Sequence, residues 1–197
     1  MAIRVRLTAI VVYDRMARVL GIVGWSGSGK TTLLVKVIPL LASRGLRIAT
    51  LKHAHHTFDV DQPGKDSYEH RKAGAGEVIV SSARRWVQMH EIGSGREATL
   101  ADHLQRLSPC DLILIEGYKS ERHSKLEVFR EATGKAPLYP ADERIVAVAS
   151  DRPLTGIQIP NVDLNDTPSV AEMIIKTAEP LAVVLARLLR PSSREPA

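Results

Sequence analysis

The chain has 197 residues, an apolar fraction of 44% and a net charge of +5, which suits one packed domain with at most an appendage. No apolar run approaches the roughly 18 residues that span a bilayer, and residues 7–12 are too short for a secretory signal core, so no membrane partner is expected. A single cysteine, Cys110, excludes an internal disulfide framework and fits a reducing cytoplasm, and the modest basicity without an aromatic-interleaved basic patch argues against a nucleic-acid partner.

Residues 1–15 are an N-terminal extension with two readings, an edge strand at residues 4–7 or translated leader upstream of Met16. The main domain is expected over residues 16–178, with a helical extension and tail over 179–197. It opens on an apolar run, residues 19–23, that predicts a buried strand, followed by Gly-Trp-Ser-Gly-Ser-Gly-Lys-Thr from Gly24 and then by a helical pattern. Strand, G-x-x-x-x-G-K-[ST] and helix, in that order, form a phosphate-binding loop. Gly24, Gly27 and Gly29 allow the backbone to wrap an anion, and the amides around Ser26, Ser28 and Thr32 point at phosphates with a helix dipole behind them. Lys30 would bridge β- and γ-phosphate oxygens and the Thr31 hydroxyl would take a Mg²⁺ position. A glycine-rich turn is the plainer reading, but Lys-Thr in that register adds nothing to a turn.

The helix is expected to run to about Arg44, with Pro39 a kink or early end. Residues 46–51 predict a second strand with Lys52 at its C-terminal end, the edge where open α/β sheets bind ligands. Residues 52–67 are densely polar. Three histidines, His53, His55 and His56, invite a metal reading, yet no distant third ligand is visible. Phosphate contacts by Lys52 and His53, with Asp59 or Asp61 holding Mg²⁺-bound water, compete with a plain solvated loop. A short helix to about Lys72, strand-like runs at 77–82 and 85–90, and an amphipathic helix over 98–107 follow.

Residues 112–115 form a continuous apolar run, as in a central strand buried on both faces, and end in Glu116. A carboxylate there occupies the place of a Walker B acid and would polarise water or sit in the second shell of Mg²⁺, unless it is a surface glutamate at a strand end. Strands are expected at 126–129 and 145–149, then a helix capped by Asp166 or Thr167 with Pro168 in its first turn, ending near Pro180, and a short helix over 181–189. The fold expected is α/β, a phosphate-loop NTPase whose mainly parallel sheet is flanked by helices, with a small antiparallel strand addition.

Four features stand in order between about residues 18 and 175: the phosphate loop; Lys-His-x-His-His-x-Phe-Asp-x-Asp-x-Pro-Gly-Lys-Asp-Ser; Ala73-Gly74-Ala75; and Leu-Ile-Leu-Ile-Glu-Gly-Tyr-Lys. Together they resemble the MobB family, adaptors of molybdopterin-guanine dinucleotide biosynthesis. The resemblance implies GTP binding with weak GTPase activity, a homodimer, and association with molybdopterin guanylyltransferase and other molybdenum cofactor proteins. It also implies the SIMIBI branch of phosphate-loop proteins, but Trp25 stands where that branch carries a second lysine. A small-molecule kinase, with Arg84-Arg85 or Arg122 over the phosphates, and a scaffold without turnover are the rival classes. No Asn-Lys-x-Asp run reads guanine; Asp151, ending the strand before Arg152-Pro153, either accepts from the guanine edge or simply begins a turn.

Overall fold

The computed structural model describes residues 17–54 and 58–190. They fall into two compact units, one built from the chain up to His53 and from Leu100 onward, the other from Ala54–Thr99.

In the first unit, β1 (Arg18–Val23), β2 (Ile48–Lys52), β5 (Leu112–Glu116), β6 (Lys125–Phe129), β7 (Ile145–Ser150) and β8 (Asn161–Asp163) lie in the order β2-β5-β1-β6-β7-β8. Every pairing along that path is parallel. A seventh strand, β9 (Glu179–Pro180), runs antiparallel to the start of β1, with Val19 opposite Glu179. The helices are α1 (Lys30–Ser43), α3 (Leu100–Arg106), α4 (Thr167–Thr177) and α5 (Leu181–Leu188). Alternation along the strands divides the core. Leu20, Ile22, Leu112 and Leu114 pack with α1 and α4 on one face, whereas Val19, Ile113 and Ile115 pack with α3 and α5 on the other. Strands buried on both faces read as unbroken apolar runs, which is why β1 and β5 stand out in the sequence.

Several boundaries have local causes. Helix α1 continues through Pro39, which lies on the exposed side, where water can take the Val35 carbonyl that its missing N–H leaves open. Asp166 caps α4 by accepting from the Ser169 N–H at 3.1 Å, with Pro168 in the first turn. Residues 179–188 are built into the first unit: β9 pairs with β1, and Leu181, Val184 and Leu185 of α5 belong to the second core.

In β6 the polar side chains are buried too. Lys125, 1% exposed, donates to Asp142 at 2.8 Å, and Glu127, 0% exposed, accepts from the Leu138 and Tyr139 N–H groups at 2.7 and 2.9 Å. Burial pushes the Glu127 carboxyl up from its ordinary value, and the two N–H bonds oppose it. His123 lies just before this strand, wholly buried against Gly21, and neither ring nitrogen has a hydrogen-bond partner among the described residues.

The second unit contains α2 (Asp66–Lys72) and the antiparallel hairpin β3 (Glu77–Ser81) and β4 (Trp86–His90), with Val80 opposite Val87. Arg71 organises it, donating to Asp59 at 2.7 Å, Glu91 at 2.8 Å and Asp61 at 3.4 Å.

Candidate functional site

The loop between β1 and α1 takes the conformation that its glycines permit. Gly24, Gly27 and Gly29 have φ of 146°, 80° and 91°, and Gly29 sits at the N-cap of α1. A side chain at Gly24 would lie 2.4 Å from the Val128 carbonyl, so the loop can lie this close to β6 only with glycine there. Ser28 is buried beneath the loop, Ser26 and Gly27 form its exposed crest, and Thr32 is exposed on the first turn of α1. The Leu33 N–H already bonds the Gly29 carbonyl at 2.8 Å, and the Ser28 N–H, expected to face phosphate, is taken by the Trp25 carbonyl at 3.1 Å. It is therefore the Lys30, Thr31 and Thr32 amides that open toward the loop.

Cations converge on this loop. The Lys30 ammonium donates to the Gly24 and Trp25 carbonyls at 2.9 and 2.8 Å, lying back across the turn. Burial, followed by the neighbouring charge of Lys119, lowers its pKa, while Glu116 opposes the shift. Lys119 and Lys135 stand 5.1 and 6.0 Å from the centroid of the Trp25 ring, whose indole N–H donates to the Ala136 carbonyl at 2.8 Å. Trp25 therefore anchors the loop and carries two lysines beside it.

Glu116 ends β5 beside β1, and parallel pairing sets its Cα opposite Ile22 and Lys52. Its Oε1 accepts from the Thr31 hydroxyl at 3.0 Å and stands 3.8 Å from the Lys52 ammonium. The fold thus assembles Lys30, Thr31, Lys52 and Glu116 at the carboxyl edge of three adjacent strands. Two hard oxygen donors in contact, Thr31 Oγ1 and Glu116 Oε1, amid lysines, fit a Mg²⁺–triphosphate group. His53 donates its backbone N–H to the Glu116 carbonyl at 2.9 Å, and its ring lies 4.6 Å from the Tyr118 ring. Gly117 has φ 101° and faces His53; Tyr118 follows at φ 51°, a left-handed conformation uncommon outside glycine.

Asp151 lies at the end of β7. Its Oδ1 accepts from the Glu131 N–H at 3.0 Å and its Oδ2 is 3.6 Å from Arg130. It also borders an open cleft of about 230 Å³ with Arg152, Asn161 and Asp163, at the carboxyl ends of β7 and β8.

Asp59 and Asp61 belong to the second unit, where Arg71 engages both and the Ser67 hydroxyl donates to Asp61 at 2.9 Å. His55 and His56 lie outside the described residues, and among the described residues no group of three His, Cys, Asp or Glu is arranged to hold a metal. The Arg84 and Arg85 N–H groups bond the Ser82 hydroxyl in the hairpin turn, and the Arg122 carbonyl accepts from Arg187.

Sequence reasoning missed Arg130 and Lys119. Arg130 directly follows β6 and Lys119 follows β5 after Gly117 and Tyr118, both at the sheet edge that carries the phosphate loop, a position that would have flagged them.

Residues 19–151 match the family model MobB, molybdopterin guanine dinucleotide synthesis protein B. Over 164 residues the chain is 44% identical to the molybdopterin-guanine dinucleotide biosynthesis adapter protein of Escherichia coli (strain K12), covering 82% of this chain and 93% of the relative. The protein of the same description from Haemophilus influenzae is 39% identical over 166 residues, 84% of this chain and 92% of its own. The crystal structure of a MobB homolog from Bacillus stearothermophilus superposes with a TM-score of 0.59 at 26% identity, covering 80% of this chain and 95% of that one. Bacillus subtilis MobB shares the fold, with a TM-score of 0.61 at 23% identity over 82% of this chain and 98% of its own. Signature, fold and relatives agree, and this chain belongs to the MobB family.

Proposed function

We propose that the chain is an adapter in molybdopterin-guanine dinucleotide biosynthesis that binds GTP with Mg²⁺ on the phosphate loop, hydrolyses it slowly, and works as a homodimer beside the guanylyltransferase. The observation that carries this reading is the assembly of Lys30, Thr31, Lys52 and Glu116 around one loop. The loop amides would take phosphate oxygens, and Lys30 would turn from the Gly24 and Trp25 carbonyls to the β- and γ-phosphates. Thr31 and Glu116 would hold Mg²⁺, which would offset phosphate charge. Lys52, 3.8 Å from Glu116, would orient that carboxylate beside the Thr31 hydroxyl. The cleft at the ends of β7 and β8 offers Asn161 and Asp163 to the edge of a base. Support for self-association comes from the hairpin, which exposes Ile79 and Trp86 on one face and Val80 and Val87 on the other.

Calorimetry of Mg·GTP binding tests the site. Charge-assisted bonds to phosphate are each worth roughly 1.5–3 kcal/mol, so Lys30→Ala should weaken binding at least about tenfold with the fold intact. Phosphate release by the parent chain should be slow, on the order of 10⁻⁴–10⁻² s⁻¹. Unchanged affinity in Lys30→Ala removes the nucleotide reading. Acceptor-dependent turnover at several per second makes the protein a kinase instead.

A further inference from the structure

Arg130 follows β6, the strand beside β1 on the side away from Glu116. Its Nε donates to the Ser28 carbonyl at 3.3 Å, and its Nη2 lies 3.4 Å from the point that a side chain at Gly29 would occupy. Its Nη1 is 3.6 Å from Asp151 Oδ2, and Asp151 is itself fixed through Oδ1 by the Glu131 N–H at 3.0 Å. A guanidinium has five N–H donors in a rigid fork. Here one edge is tied to the loop and another to a carboxylate, while Nη2 stands over the last two residues before α1.

Resting on the nucleotide reading above, we infer that Arg130 is a phosphate-binding residue supplied by the chain itself. Its Nη2 takes an oxygen of the α- or β-phosphate on the flank of the loop opposite Glu116, and Asp151 is the positioning residue that holds it there. The location follows from the loop's chemistry. The backbone of such a loop cradles the inner phosphates while its lysine reaches the outer ones, and Arg130 lies against the backbone. The planar fork explains arginine at this place: a lysine reaches as far but cannot bond Ser28, Asp151 and a phosphate in one plane. Ionic contact with Arg130 also gives Asp151 a task unrelated to reading guanine.

The test is calorimetry of Mg·GTP, Mg·GDP and Mg·ATP with Arg130→Ala, Arg130→Lys, Asp151→Asn and the Arg130→Ala/Asp151→Asn double variant. Arg130→Ala should weaken all three ligands by a common factor of about 10- to 100-fold. Arg130→Lys should recover part of the loss, and melting without nucleotide should change little because the side chain is 36% exposed. Asp151→Asn should weaken GTP and ATP equally, and the double variant should bind no worse than Arg130→Ala alone. Parent-like affinity in Arg130→Ala, where Lys30→Ala has lost binding, overturns this inference and leaves the nucleotide reading standing. A loss confined to GTP among the guanine nucleotides overturns the placement on the inner phosphates. Additive losses in the double variant, or a changed GTP-over-ATP preference in Asp151→Asn, overturn the positioning role. A parent chain that binds no nucleotide removes the function reading and this inference together.

Discussion

The two units of this chain are built on opposite principles. The first buries strands on both faces under four helices, and residues such as Leu20, Ile113 and Leu114 are 0% exposed. The second has a hairpin, one short helix and Val78 as its buried strand residue, with Ile79, Trp86 and Ile92 at 60%, 64% and 46% exposure. Its order comes from an arginine shared among three carboxylates. A two-stranded hairpin with one short helix buries too little apolar surface to offset much chain entropy. The contrast separates a self-sufficient scaffold, which positions the phosphate loop, from a segment whose apolar side chains suit a partner surface.

The largest effect should come from the scaffold. Leu114→Ala removes a fully buried side chain of β5 that packs with α1 and α4, and should cost about 2–5 kcal/mol of global stability in denaturant unfolding. A loss below 1 kcal/mol would mean that the layered core is loosely packed.

Acid should act on the scaffold next. Burial, then the charge of Lys125, pushes the His123 imidazole down to about 4 from 6.5. Below pH 6.5 the unfolded chain takes up a proton that the folded chain refuses until about pH 4, so stability should fall across that window by roughly 3 kcal/mol. Glu127, with its carboxyl raised by burial, works in the opposite sense at the lower end of the range. Unfolding followed from pH 7 to 4 checks this, with His123→Phe expected to flatten the dependence. In the second unit the Arg71 hydrogen bond holds the Asp59 carboxyl below its usual value, so the Arg71–Asp59 contact should persist through the same window.

Arg71→Ala should divide the two units. Amide exchange should quicken in α2, β3 and β4 and stay unchanged in β1 and β5. Equal acceleration throughout would join the units into one cooperative block. The smallest effect on a single molecule is expected from Ile79→Ala and Trp86→Ala, within about 0.5 kcal/mol because both side chains are exposed. Their signature should instead be a shift toward monomer in sedimentation. A purely monomeric parent chain would remove the hairpin as a self-association surface.

Legibility in the sequence followed the same division. The phosphate loop and β5 could be read because their signals are local: glycines in fixed register and an apolar run with a terminal acid. The hairpin strands and α2 were also marked, by turn residues on either side. Strand β8 has only three residues, and β9 has two, one of them Pro180, so neither carries an alternation to detect. Lys-Leu-Glu-Val-Phe in β6 reads as half-exposed, because Asp142 and the Leu138 and Tyr139 amides that satisfy its polar side chains come from further along the chain. Arg130 was hidden for a related reason. Its partners, Ser28 and Asp151, lie on either side of it in the chain, and only the order β1-β6-β7 brings them together.

Pairing around β1 bears on how the protein is made. Arg18 lies opposite Leu112, Gly21 opposite Lys125 and Val19 opposite Glu179, so among the described residues every strand that pairs with it is synthesised long after it. At ribosomal rates of about 5–20 residues per second, Val-Leu-Gly-Ile-Val leaves the exit tunnel seconds before any strand that can cover it. During that interval the segment that will carry the phosphate loop is a bare apolar β-former. Helix α5, which closes the second core, is made later still, so that core stays incomplete until nearly all of the described chain has been synthesised.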